Sequence, residues 1–163
     1  MALLDLIIQA LWFILPAYLA NASPVIFAKL AKGKYPIDCG LKWSDGRPIL
    51  GAGKTWPGLL GGIFVGALVG GIQGAILVGF LLALGALLGD MTKSFFKRRL
   101  RMDRGESWPF VDQWDFLIGA LLLVSIVQIP SLAIVVVLFV ITPLIHLGGN
   151  SLAYLLKLKK VWY

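Results

Sequence analysis

The sequence predicts an all-α integral membrane protein with five transmembrane helices, and three observations support this fold class. First, 59% of the 163 residues are hydrophobic and only 14% are charged, which is too little charge to cover the exterior of a soluble domain. Second, residues 6–28, 57–89 and 116–156 carry no charged side chain. Third, a bilayer span takes about 20 apolar residues, so the first stretch predicts one helix and each longer stretch predicts two.

Short uncharged turns divide the two longer stretches, one rich in glycine at 70–74 and one containing proline at 128–131. The chain length fits a single domain. The predicted helices are approximately 6–28, 57–71, 74–92, 115–129 and 131–156, with polar loops at 29–56 and 93–114. The first helix is expected to be retained rather than cleaved as a signal peptide, because no basic segment precedes its apolar run.

The positions of the basic residues predict the orientation. All 15 Lys and Arg residues lie in three segments, 29–54, 93–104 and 157–160, and five spans place these segments on one side of the membrane. Cytoplasmic loops are enriched in Lys and Arg, so the N-terminus is expected outside and the C-terminus and both polar loops in the cytoplasm. Seven of the eight acidic residues lie in or next to the same loops, which orientation alone does not explain.

Glycines recur at four-residue steps along the second predicted helix, and Gly85 and Gly89 continue this spacing in the third. The glycines of the second helix are at 58, 62, 66, 70 and 74. Small residues at this spacing let helices approach closely in lipid. We interpret them as packing surfaces, either within the helix bundle or between two copies in a homodimer.

The inner end of the third predicted helix carries Asp90, Lys93, Ser94 and Lys97 at three- and four-residue steps, so these side chains share one helical face. An acid, a hydroxyl and cations together can hold a divalent metal and phosphate oxygens. The alternative is an ordinary helix end at which Lys and Arg reach lipid headgroups. That alternative does not explain Asp90, because a carboxylate near membrane depth is costly and has the wrong sign for a helix C-terminus.

Asp112 and Asp115 open the fourth predicted helix three residues apart, so they lie on one side of its first turn. One interpretation is helix capping, with Asp112 as the N-cap. The other interpretation groups both residues with Asp90 in the same inner layer. Sites of few protein oxygens suit Mg²⁺, which completes its shell with water and substrate phosphates. Asp90, Asp112 and Asp115 are therefore the predicted metal ligands.

The segment from Gly51 to Thr55, with Gly53 and Lys54 between, resembles a phosphate-binding P-loop only superficially. Pro48 stands where that motif needs glycine, and no strand precedes it, so the motif is rejected. A glycine loop with a lysine still precedes a helix whose expected N-cap is Thr55, and free N–H groups there attract anions. The alternative is an ordinary glycine-rich loop and cap.

Three polar residues in the predicted helices are weaker candidates for lining the same cavity: Asn21, His146 and Asn150. A lone histidine in a membrane helix is more often a hydrogen-bond partner between helices than a ligand. His146 and Asn150 nevertheless share a helical face that ends at the basic inner surface.

The pattern Ser94-x-x-Lys97-Arg98, followed by Asp103, Pro109 and Asp112-x-x-Asp115, resembles the signature of the CDP-diacylglycerol synthases. It departs at Met102 and Gln113, where that signature has Lys and Arg, and in lacking a His-Gly-Gly segment. These departures and the short chain fit the compact archaeal relatives, the CDP-archaeol synthases. Further segments that resemble those relatives are Asn21-x-x-Pro24, Asp45-Gly46-Arg47-Pro48, Gly51-x-Gly53-Lys54-Thr55 and His146-x-x-x-Asn150.

The resemblance implies transfer of a cytidylyl group from CTP to an isoprenoid lipid phosphate, 2,3-bis-O-(geranylgeranyl)-sn-glycerol 1-phosphate. The products would be CDP-archaeol and pyrophosphate, in Mg²⁺-dependent phospholipid biosynthesis at the cell membrane. Asp90, Asp112 and Asp115 would organise the metal around the triphosphate. Cations would neutralise phosphate charge and the glycine loop would hold the nucleotide, with Ser94 orienting a carboxylate or phosphate. The cations are Lys93, Lys97 and Arg98, with Lys54 in the loop.

The rival interpretations are a small transporter or channel with a cytoplasmic phosphate-binding cavity, and a structural membrane subunit. A transporter favours ionisable residues at the bilayer midplane and internally repeated helices, whereas here these residues cluster at one membrane face. A structural subunit has no need of acids among cations. A CDP-alcohol phosphotransferase needs a dense Asp and Gly motif on two helices, which the sequence lacks. Nucleic acid is not an expected partner.

Overall fold

The computed structural model describes residues 2–32, 35–103 and 105–155, with side chains as far as 148. The six helices of this part are α1 Leu3–Ala22, α2 Pro24–Leu30, α3 Trp56–Ile72, α4 Ile76–Arg99, α5 Val111–Val124 and α6 Leu132–Leu155. The described residues form no strand, and the loop between α2 and α3 has two isolated bridges, Pro36 with Thr55 and Lys42 with Pro48. The predicted all-helical class is confirmed.

The first and third predicted helices have different bounds in the structure. The helix expected at 6–28 is two helices that meet at Ser23, and Pro24 opens the second, because proline lacks an N–H and suits a first turn. The helix expected at 74–92 begins at Ile76 and continues to Arg99. Residues 93–99 contain no Gly or Pro, and the basic side chains of the last turn complement the helix dipole.

Helix α5, which corresponds to the fourth predicted helix, begins at Val111 rather than at residue 115. Its N-cap is Phe110, which has a φ of 64° and makes no side-chain capping hydrogen bond. The prediction that Asp112 is the N-cap is therefore wrong: the residue lies within the first turn of the helix. Both Asp112 and Asp115 are helical, so their carboxylates have fixed directions relative to α4.

Two stretches of the described chain are long and apolar enough to cross a bilayer, namely 3–30, which comprises α1 and α2, and α4. Helix α3 and residues 132–148 of α6 are apolar but shorter. Many large apolar side chains of these helices are exposed, among them Leu60, Leu68 and Leu144. Apolar exteriors of this kind are stable in lipid rather than in water.

Helix α4 lies at the centre of the bundle, where it packs against α1, α3 and α5, while α6 packs against α1 and α5. The core consists of small and aliphatic side chains around one buried aromatic ring. Its members are Ala10, Ile14, Ala17, Leu82, Ala86, Phe116, Leu117, Ala120, Leu121, Val124 and Leu138.

The glycine ladder of α3 packs within the chain. Gly58, Gly62, Gly66 and Gly70 are all buried. A Cβ on Gly70 would lie 2.6 Å from the Cα of Gly79 in α4, and one on Gly62 would lie 2.8 Å from the carbonyl oxygen of Ala20 in α1. The ladder is thus an intrachain surface and carries no argument for a homodimer. Gly74, counted in the ladder from sequence, lies instead in the following turn with a φ of 76°.

A second glycine contact joins α4 to α5. A Cβ on Gly85 would lie 2.8 Å from the Cα of Ala120, and one on Gly89 would lie 2.9 Å from the carbonyl carbon of Asp115. Gly119 faces them across the interface. The two backbones therefore touch, and this contact determines how far apart the polar side chains at the ends of the two helices lie.

Candidate functional site

Three carboxylates converge on one ammonium group where α4 and α5 touch. Lys93 Nζ lies 3.2 Å from Asp90 Oδ1, 3.3 Å from Asp112 Oδ1 and 2.6 Å from Asp115 Oδ2. All four side chains are largely buried, with Asp115 only 4% exposed. The three acids that the sequence predicts as a group do lie together, and a lysine occupies their centre. Below, these four residues are called the ion cluster.

Lys97 ties the end of α4 to the start of α5. Its ammonium donates to Asp112 Oδ2 at 2.8 Å and to the carbonyl oxygen of Glu106 at 2.7 Å. The backbone N–H of Trp108 donates to the same carboxylate oxygen at 2.7 Å. Lys97 is only 8% exposed, so its described contacts hold a loop and a carboxylate in place, although it was predicted to neutralise phosphate.

The glycine loop at 51–55 meets the ion cluster through Lys54, whose ammonium pairs with Asp90 Oδ2. Thr55 is the N-cap of α3, and its side chain accepts a hydrogen bond from the N–H of Gly58 at 3.2 Å. The predicted N-cap is therefore confirmed. Proline in the first turn of α3 has no N–H to satisfy, so the loop passes into the helix without strain.

Asp38, which the sequence analysis did not single out, fixes the other end of this loop. Its Oδ2 accepts hydrogen bonds from the N–H groups of Leu50 at 2.9 Å and Gly51 at 2.8 Å, and its Oδ1 accepts from Gly40 at 3.1 Å. Burial raises the pKa of the Asp38 carboxyl, but the donors Gly51, Leu50 and Gly40 outweigh this and hold the pKa below its ordinary value. An Asp two residues before a Gly is typical of an Asx turn. This pattern is the signal in the sequence from which a role for Asp38 in the loop could have been predicted.

Arg99 fastens the same long loop to the end of α4. Its Nη1 donates to Asp45 Oδ1 at 3.0 Å, and its Nη2 donates to the carbonyl oxygens of Arg47 and Pro48. The guanidinium also lies 5.0 Å from the centre of the Phe95 ring. A guanidinium supplies several donors in one plane, so Arg99 alone can bond to the Asp45 carboxylate and to two backbone carbonyl oxygens of the loop.

A cavity of about 1300 Å³ opens between the glycine loop, α2, α4 and the start of α5. It brings together most of the predicted site residues, which come from five separate segments. Those that line it are Asn21, Gly51, Gly53, Lys54, Thr55, Asp90, Lys93, Ser94, Lys97, Arg98, Asp112 and His146. Below, this is called the polar cavity.

Asp115 does not line the polar cavity but a smaller groove between α4 and α5. The Ser94 hydroxyl, which was predicted to orient a carboxylate or phosphate, donates to the backbone carbonyl oxygen of Asp90 at 2.9 Å. The Arg98 guanidinium contacts the carbonyl oxygen of Asp103 at 3.3 Å. The His146 ring stacks on Phe116 with centroids 6.4 Å apart. The side chain of Asn150 lies outside the described residues.

The donor set of the ion cluster fits a hard cation. In the described part of the chain, no three His, Cys, Asp or Glu side chains are arranged as a ready metal cage, because the three acids surround an ammonium instead. Asp112 Oδ1 lies 2.6 Å from Lys97 Nζ and Asp115 Oδ2 lies 2.6 Å from Lys93 Nζ, whereas Asp115 Oδ1 is buried without a hydrogen-bond partner. Such an oxygen is available to Mg²⁺, which commonly binds through one or two carboxylates and substrate phosphates.

Apolar helices around a cavity that is walled by cations and carboxylates define a class of protein, the membrane-embedded enzymes that act on phosphates. A family model described as CarS-like, CDP-archaeol synthase, matches residues 3–78 and 75–163. The chain belongs to the CDP-archaeol synthase family. The resemblance found in its motifs is thereby confirmed.

Individual relatives agree with the family model over nearly the whole chain. The CDP-archaeol synthase of Pyrococcus horikoshii is 48% identical over 95% of this chain and 96% of that protein. Its counterpart in Pyrococcus furiosus is 49% identical over 95% and 97%, and that of Thermococcus gammatolerans is 46% identical over 99% of both.

A solved structure of an intramembrane enzyme for archaeal membrane lipids biosynthesis has the same fold, with a TM-score of 0.76 and 37% identity. The match covers 88% of this chain and 94% of that one. It supports a membrane location for this chain.

Proposed function

We propose that this protein transfers a cytidylyl group from CTP to the lipid phosphate 2,3-bis-O-(geranylgeranyl)-sn-glycerol 1-phosphate. The products are CDP-archaeol and pyrophosphate. The observation that carries the proposal is the polar cavity, where a glycine loop with a lysine faces buried carboxylates and cations on two helices. The relatives named CDP-archaeol synthase, 48% and 49% identical, support it.

In the proposed reaction an oxygen of the lipid phosphate attacks the α-phosphorus of CTP. The bond from that phosphorus to the bridging oxygen of the β-phosphate breaks, and pyrophosphate leaves. Holding the two phosphates in line and neutralising their charge provides most of the rate in such transfers. No protein nucleophile is required.

The glycine loop and Lys54 are the proposed binding site for the triphosphate, together with Lys93 and Arg98. Lys54 and Lys93 are both paired with Asp90, so an arriving triphosphate competes with that carboxylate for their charge.

The contacts of Lys97 suggest a different role for it. We infer that Lys97 positions Asp112, because both of its described bonds lie within the wall of the site.

We infer that Asp112 and Asp115 hold Mg²⁺, since Asp115 Oδ1 is buried without a hydrogen-bond partner and Asp112, which lines the polar cavity, shares Lys93 with it. Asp90 has an ammonium group against each oxygen, and Lys97 contacts both oxygens of Asp112, so a metal bound at either carboxylate would displace a lysine. When bound, the metal would neutralise charge on the triphosphate and on departing pyrophosphate.

The activity test uses purified protein with CTP, the lipid phosphate and Mg²⁺. Asp112→Asn and Asp115→Asn should each lower the rate of CDP-lipid formation by about 10²-fold or more, because each weakens a proposed ligand of the metal that neutralises phosphate charge. Asp5→Asn, at the opposite end of α1 from the site, is the matched control and should retain wild-type activity. Full activity in both site variants would contradict the assignment.

We also propose that all five predicted spans cross the membrane, with the N-terminus outside and the polar cavity open to the cytoplasm. The one-sided Lys and Arg distribution supports this orientation. Cys39 is the single cysteine and is exposed in the loop between α2 and α3. A membrane-impermeant maleimide should therefore label it in inverted vesicles but not in intact cells. Labelling in intact cells but not in inverted vesicles would show the opposite orientation.

A further inference from the structure

A groove of about 420 Å³ lies between α4 and α5. Its walls are apolar side chains that remain open to the surroundings of the helix bundle: Leu88 is 43% exposed, Phe96 51%, Ile118 44% and Leu122 70%. These side chains belong to helices of a membrane protein, so the groove opens sideways toward lipid. Below, this is called the α4–α5 groove.

The groove exists because the two helices meet through glycine. Gly85, Gly89 and Gly119 line it, and their lack of side chains lets the backbones touch while the larger residues on either side stand apart. From Gly85 to Lys93 the groove follows eight residues of α4, or about 12 Å at a rise of 1.5 Å per residue. That length suits part of one hydrocarbon chain.

Two charged side chains line the inner half of the groove, with Phe96 and Val111 beyond them. They are Lys93 and Asp115, and Lys93 also lines the polar cavity. A molecule lying in the groove therefore reaches the ion cluster. Its body must be apolar along the walls, and its head must pair with the ammonium of Lys93 in competition with the three carboxylates around it.

We propose that the α4–α5 groove binds the glycerol-proximal part of an isoprenoid chain of the lipid phosphate and places the phosphate beside Lys93. The inference rests on the proposed function and adds the route by which the lipid reaches the site. CTP does not fit this description, because its ribose, base and phosphates are polar throughout.

Filling the groove tests the proposal. Ile118→Trp and Leu122→Trp place large side chains in its walls, and both positions are exposed enough to accept them without repacking the core. In each variant the KM for the geranylgeranyl lipid phosphate should rise at least about tenfold, as expected when an apolar pocket is obstructed. The KM for CTP should stay at its wild-type value.

Leu68→Trp on α3 is the matched control, because Leu68 is 53% exposed and lines neither cavity. A lipid phosphate with methyl ethers in place of both chains supplies a second control, since it has no chain to lie in the groove and should react equally well with all variants. If the wild-type protein is active and the KM for the lipid is unchanged in both groove variants, the proposal that the lipid chain binds in the α4–α5 groove is overturned. No CTP-dependent product from the wild type would instead overturn the proposed function.

A measurement on the unmodified chain covers the case in which neither tryptophan variant folds. A lipid phosphate carrying a photoreactive diazirine near its glycerol end should crosslink to α4 or α5 on irradiation. Excess unlabelled lipid phosphate should suppress the crosslink. Crosslinking to α2 or α6 instead would show that the lipid enters by another wall of the polar cavity, and would overturn the proposal.

Discussion

The candidate site has two halves that are held together by different forces. The helix half consists of the ion cluster on α4 and α5, and its geometry follows from backbone contact at Gly85, Gly89 and Gly119. The loop half is the glycine loop at 51–55, and individual polar side chains hold it in place. The halves meet at the ion pair between Lys54 and Asp90.

The difference indicates which kinds of change each half can tolerate. In the helix half an added methyl group must separate two backbones, because nothing flexible lies between them. The loop half has space around its turns, where a Cβ on Gly40, Gly46 or Gly51 would meet nothing within 4 Å, but each of these glycines has a positive φ that strains any other residue. Backbone hydrogen bonds support the loop, and most of its side-chain hydrogen bonds converge on Asp38 and Arg99.

Gly89→Ala tests the helix half and should have the largest effect. The new methyl group would meet the Asp115 backbone and lie 3.3 Å from the Phe116 Cα, so α4 and α5 must move apart. Overpacking of this kind costs about 1–3 kcal/mol, and displacement of catalytic groups by about 1 Å can cost 10²-fold in rate. The melting temperature and the rate of CDP-lipid formation should both fall.

Gly71→Ala is the control for that substitution. Gly71 lies near the end of α3, and a Cβ there would meet nothing within 4 Å. Replacing an unconstrained helical glycine by alanine is favourable by about 0.5–1 kcal/mol, so the melting temperature should hold or rise. Equal loss of stability in the two variants would mean that the α4–α5 contact is no tighter than an ordinary helix surface.

The sequence predicts the helix half well because helices repeat. Asp90, Lys93, Ser94 and Lys97 were placed on one face from their spacing alone, and all of them line the polar cavity. Thr55 was recognised as an N-cap from its position before Pro57. In both cases the informative residues lie within one or two turns of each other.

The parts that the sequence did not predict depend on contacts between distant residues. Asp38 binds the N–H groups of Leu50 and Gly51, which are 12 and 13 residues away, and no periodic pattern marks such a pair. The role of Asp112 as an N-cap was misjudged because Phe110 begins the helix with a positive φ, a conformation that its residue type does not suggest. The pairing of Lys97 with Asp112 likewise requires the loop between them to fold back.

Asp38→Ala tests the loop half and should have a smaller effect on stability and a selective effect on activity. It leaves the part-buried N–H groups of Leu50 and Gly51 without their acceptor, at a cost near the lower end of the roughly 1–3 kcal/mol of a buried unsatisfied group. The KM for CTP should rise more than kcat falls, because the ion cluster on the helices is unchanged. In the control Asp45→Ala, an ion pair with 37% of the Asp45 side chain exposed is lost, which costs about 0–1 kcal/mol.

Asp38→Asn sharpens this test, because it removes the charge but keeps one acceptor oxygen, which can serve the N–H groups of Leu50 and Gly51 while the acceptor for Gly40 is lost. The pKa of Asp38 in the folded protein lies below its ordinary value of 3.8, so its charged form stabilises the fold. That contribution is complete above the ordinary value and is lost as the pH falls through the folded pKa. The gap in melting temperature between wild type and Asp38→Asn should therefore be constant near neutral pH and narrow below pH 3.8. The other carboxylates titrate in both proteins, so their effects cancel in the difference in melting temperature. A difference that stayed constant or widened in acid would show that hydrogen-bond geometry alone, without charge, fixes the loop.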